Sequence, residues 1–71
     1  MPPELVRLNV NLNQETANAL KELSESQGLT MTEVIRRSIS IFKYLTDEIE
    51  AGRKIHTMDQ DGRNVRELVM M

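Results

Sequence analysis

The segment 30–51, TMTEVIRRSISIFKYLTDEIEA, carries the strongest pattern of apolar and polar positions in the chain. Met31, Val34, Ile35, Ser38, Ile39, Ile41, Phe42, Leu45 and Ile49 recur at steps of three and four. At about 100° per residue they fill a stripe roughly 160° wide. Glu33, Arg36, Arg37, Ser40, Lys43, Tyr44, Asp47 and Glu48 occupy the other side. The pattern predicts a long amphipathic helix with almost half its circumference seeking burial. Thr30 followed by Glu33 reads as a capping box at its start, and Ala51-Gly52 marks its end.

Two further periodicities precede it. In LVRLNVNL, Val6, Leu8, Val10 and Leu12 alternate with Leu5, Arg7, Asn9 and Asn11, which predicts a strand with one apolar face. Asn favours strands poorly, so its presence twice on the other face invites a role in recognition beside the plainer reading of a solvated face. From Gln14 to Gln27 the step changes to that of a helix, with Asn13 as its N-cap. Thr16, Ala19, Leu20, Leu23 and Gln27 form a stripe of only about 100°. Gly28 closes that helix, and Leu29 is the whole link to the Thr30 cap.

Length sharpens what the patterns imply. A 71-residue chain buries only about 60% of its unfolded surface and is marginal alone. It has no cysteine and a single histidine, His56, which leaves neither a disulfide nor a metal site as an ordinary supplement. One strand also leaves both its edges unpaired. A second copy meets both needs, pairing the strands antiparallel about a twofold axis and burying the wide helical stripes against each other. The expected fold class is therefore mostly α with one N-terminal strand, an intertwined homodimer held by an intermolecular two-stranded antiparallel β-ribbon.

These residues, in the order strand, helix, Gly-x-Thr turn and capped apolar helix (RLNVNLNQETANALKELSESQGLTMTEVIRRSI), resemble the ribbon-helix-helix DNA-binding proteins of the Arc, MetJ and CopG type. The resemblance covers about residues 5 to 51. It implies a dimerisation and DNA-binding domain over 1–52 whose ribbon reads the major groove of double-stranded DNA. By position, the base contacts it implies are Arg7, Asn9 and Asn11, and the phosphate contacts are Thr30, Met31 and Thr32. The implied dimer core is Leu8, Val10, Leu12, Val34, Ile35, Ile39 and Phe42. Side-chain chemistry agrees, since Arg pairs with guanine O6 and N7, and Asn with adenine N6 and N7. Family habit further implies a transcriptional repressor, with pairs of dimers on DNA.

A helix-turn-helix also joins two helices through a Gly turn. The broad side of this second helix is taken up by Val34, Ile35, Ile39, Ile41 and Phe42, and a third supporting helix is missing. A dimerisation module without DNA is a further class that fold alone does not remove.

Charge weakens the objection that an acidic chain avoids DNA. The formal net charge is −2, but residues 1 to 45 are balanced, and the acidic excess lies in 46–71. The tail 53–71, RKIHTMDQDGRNVRELVMM, has an Asp61-Gly62 turn that would set Met58 opposite Val65 and Ile55 opposite Leu68 in a C-terminal β-hairpin. Val65, Leu68 and Val69 also share a helical face, so periodicity alone does not decide, and the hairpin is the expected form. An antitoxin, whose tail binds a toxin protein while residues 1–52 autoregulate, is the alternative function, with 53–71 as the protein-partner segment. No enzyme and no cofactor is expected, because His56 stands without a neighbouring nucleophile and no Gly-rich phosphate loop occurs. No apolar run approaches the roughly 18 residues that cross a bilayer. The expected setting is cytoplasmic.

Overall fold

The computed structural model describes residues 5–70 and divides into two compact units, Met1–Val34 and Ile35–Met71. Its elements are helix α1 (Gln14–Gln27), helix α2 (Met31–Glu50), strand β1 (Ile55–Thr57) and strand β2 (Arg66–Leu68). The division falls inside α2.

In the first unit, α1 starts where a side chain can replace the missing helical acceptor. Asn13 is extended, at φ −71° and ψ 168°, and its Oδ1 accepts from the Thr16 N–H at 2.8 Å, satisfying one of the orphan donors of the first turn. At the other end Gly28 adopts φ 62°, a left-handed conformation that costs little without a Cβ. The Gly28 N–H then reaches the Glu25 carbonyl and the Leu29 N–H the Ser24 carbonyl, the double closure of a Schellman motif. Thr30 Oγ1 accepts from the Glu33 N–H at 3.1 Å, so α2 begins with a capped turn. Val34 is the one buried apolar residue among those described. Ala17, Leu20, Ser24 and Leu29 are half-buried.

In the second unit α2 ends as α1 does. Gly52 has φ 85°, and the N–H groups of Gly52 and Arg53 bond the carbonyls of Ile49 and Glu48. The chain leaves this closure for β1, which pairs antiparallel with β2 in the register Ile55↔Leu68, His56↔Glu67, Thr57↔Arg66. Ile55 and Met70 are half-buried, as are Leu45 and Thr46 on α2.

Two expectations are corrected. The N-terminal strand is absent: residues 5–13 have no regular secondary structure, and the strands follow the helices. The intermolecular β-ribbon built on that strand falls with it. Alternation sorts side chains onto two faces, but a strand is held by backbone bonds to a neighbour, and the ladder of this chain is taken by β1 and β2. Asn9 and Asn11 add no strand preference of their own.

The hairpin loop also differs from a two-residue turn. The Gly62 N–H bonds the Asp59 carbonyl at 2.9 Å and the Asp59 N–H bonds the Arg63 carbonyl at 2.8 Å, so residues 60–62 form a three-residue loop with Gly62 left-handed at φ 83°. Asn64, at φ 54°, is the extra residue that restores the register, and its Nδ2 donates to Asp59 Oδ2 at 2.6 Å.

These closures give a prediction. Asn13→Ala removes the α1 cap and costs about 1 kcal/mol. Gly52→Ala puts a Cβ at φ 85° and costs about 1 kcal/mol. Both are read from the denaturant midpoint of helical circular dichroism at fixed protein concentration. Losses near zero would mean that these termini frame nothing.

Candidate nucleic-acid interface

The first unit holds both groups of residues assigned to DNA. Arg7, Asn9 and Asn11 lie on the irregular segment ahead of the Asn13 cap and are exposed. None of them makes a hydrogen bond or ion pair to another described residue. Leu8, Val10 and Leu12, expected in a dimer core, are also exposed, falling from 67% at Leu8 to 43% at Leu12 as the chain nears α1. The segment thus offers three polar side chains with their hydrogen-bonding groups uncommitted.

The start of α2 supplies the second group. Thr30 uses its hydroxyl on Glu33 and its carbonyl on Val34. Met31 and Thr32 occupy the first helical positions, where backbone N–H groups lack an intrahelical acceptor. Partial positive charge gathers at that end, which suits an anion. Glu33, also in the first turn, opposes an incoming phosphate with its own charge.

Of the remaining dimer-core positions, Val34 is buried, whereas Ile35, Ile39 and Phe42 are 40%, 57% and 62% exposed. Tyr44 and Ile41 are equally open. Lys43 on the charged side pairs with Asp47 at 2.7 Å, and Arg53 beyond the helix end bonds Glu48 at 2.8 Å. The Glu48 hydrogen bond, and after it the charge of that carboxylate, raise the Arg53 guanidinium above its ordinary value. These two cations are therefore engaged near the α2 C-terminus.

His56 Nε2 stands 3.9 Å from Glu67 Oε1, which also faces Lys54 Nζ at 3.5 Å, in an open, solvated cluster. Among the described residues no group of three His, Cys, Asp or Glu side chains could hold a metal ion, and no helix is long and apolar enough to cross a membrane.

Sequence reasoning missed a cleft of about 170 Å³ in the second unit, lined by Ile49, Arg53, Ile55, Leu68, Val69 and Met70 among others. The signal lay in the alternation after Gly52, which tied Ile55 to Leu68 without saying that either would lie beside Ile49. Compared with known proteins, the chain matches no family model, no curated protein and no solved structure.

Because Arg7 and Asn9 are exposed and uncommitted, the double variant Arg7→Ala, Asn9→Ala is expected to change folding stability by no more than about 0.5 kcal/mol. Denaturant titration checks this. A larger loss would give these side chains a structural role.

Proposed function

We propose that the chain is a sequence-specific DNA-binding transcriptional regulator, acting as a homodimer and most simply as a repressor that occludes a promoter. The observation that carries the reading is the placement, within one unit, of exposed Arg7, Asn9 and Asn11 and the free amides that open α2. Arg and Asn are the side chains that pair bidentately with guanine and adenine in the major groove, each such pair discriminating by about 1–3 kcal/mol. The amides of Met31 and Thr32 are suited to the phosphate contacts that position a protein without specifying sequence. The reading requires no regular ribbon, because the side chains are carried on an irregular segment.

The homodimer rests on burial. A single buried apolar residue among those described, Val34, leaves too little core for independent stability. Ile35, Ile39, Ile41 and Phe42 remain exposed along the length of α2, and a contiguous apolar face of this kind marks an interaction surface. A second copy presents the same stripe, which makes a self-complementary twofold interface the simplest closure.

The test is selection from a pool of random duplex DNA, at two salt concentrations, by wild type and by the Arg7→Ala, Asn9→Ala variant. Wild type is expected to enrich a twofold-symmetric motif containing guanine and adenine, and the variant to stay folded but lose it. Binding that weakens with salt and enriches no motif would reduce the interaction to phosphate attraction. Equal enrichment by both proteins would remove these residues from base reading.

A further inference from the structure

The apolar stripe of α2 does not stop where the helix stops. Ile35, Ile39, Phe42 and Ile49 project within about 80° of one another at 100° per residue. Ile49, at the lower end, is also a wall of the cleft, where Ile55, Leu68, Val69 and Met70 stand with the charged Arg53, Lys54 and Glu67. The apolar face of the helix and the apolar side of the cleft thus share Ile49 within the second unit. Val69 lines the cleft yet is 67% exposed, and Leu68 is 42% exposed.

Area decides whether the helix could manage alone. A fully buried Leu, Ile or Phe side chain removes about 60–120 Å² of apolar surface from water. Five such side chains on α2 (Ile35, Ile39, Ile41, Phe42 and Ile49), each about half exposed, offer on the order of 150–300 Å². A protomer in a stable interface contributes about 800 Å², roughly two-thirds of it apolar in homodimers. The helix falls short of that by itself.

We propose that the C-terminal hairpin is part of the dimer interface, with the second copy of this chain seated on α2 and on the hairpin cleft together. This rests on the homodimer of the proposed function and adds to it where the second copy lies. The hairpin itself suits the role. Besides the cleft residue Val69 it carries Met58 and Val65, both more than half exposed, and an isolated two-stranded hairpin is marginal in water. A second chain over the cleft would stabilise the hairpin and lengthen the helical interface at once. The charges at the cleft are already matched within the chain, Arg53 with Glu48 and Lys54 with Glu67, so an uncharged, apolar occupant fits better than an acidic or a basic one.

Sedimentation of the full-length chain tests this, comparing wild type with Val69→Asp and with Arg63→Ser, whose side chain at the loop is 82% exposed and away from the cleft. Wild type and Arg63→Ser are expected to dimerise equally, and Val69→Asp at least tenfold more weakly with its helical circular dichroism retained. If Val69→Asp dimerises as wild type does, the hairpin lies outside the interface and this inference is overturned while the dimer stands. If wild type is monomeric, both fall. Amide hydrogen exchange guards against misfolding of the variant: in wild type, protection at residues 55–57 and 66–68 should rise with protein concentration across the dimer transition. Protection independent of concentration in a protein that dimerises would also overturn the inference.

Discussion

The case for a second chain rests on an apolar stripe that the described residues do not cover. Ile35, Ile39 and Phe42 stand on one side of α2, 40% to 62% exposed, in a chain whose described residues bury a single apolar side chain. Conformational entropy opposes ordering every residue of such a chain by about 1–2 kcal/mol for the backbone alone, and a single buried valine cannot offset it. The stripe is therefore the reason to expect a second chain, and hence a reason to expect twofold symmetry in whatever the protein binds.

Local chemistry sets the frame on which that stripe sits. Asn13 and Thr30 cap the two helices, and Gly28 and Gly52 end them with the same pair of backbone closures. These are short-range effects, satisfied within five residues, and they fix where α1 and α2 begin and end without reference to the rest of the molecule. They also place the first residue of α2, Met31, only four positions after Gln27 at the end of α1.

That locality explains what could be read from the amino acids. The helices were legible because caps, left-handed glycines and a 3.6-residue period are all written in neighbouring residues. The segment LVRLNVNL was misleading, because alternation is only half of what a strand requires. The other half is a backbone partner, which no periodicity of residues 5–12 can supply. The tail held the converse case: its period was ambiguous between strand and helix, and the pairing of Ile55 with Leu68 resolved it. Asp61-Gly62 located the turn but not its type, because the extra residue taken up at Asn64 depends on a side-chain bond back to Asp59. At the candidate site, Arg7, Asn9 and Asn11 were legible as chemistry, whereas their exposure belongs to the whole irregular segment, on which Leu8 and Val10 are exposed as well. The cleft beside Ile49 was not, because it depends on where the hairpin folds back.

The chain thus joins a segment whose Arg7, Asn9 and Asn11 side chains bond no other described residue to a helix whose apolar stripe is left exposed. In the proposed reading, dimerisation is the step on which folding and DNA recognition both turn. The most direct measurement is the thermal midpoint of the wild-type protein as a function of its concentration, because anything that binds the folded state by mass action moves that midpoint. The account predicts a midpoint that climbs steadily as the chain is concentrated over about three decades. A midpoint that stays fixed over that range, with a single cooperative transition, would mean that one chain is stable alone, and would contradict it.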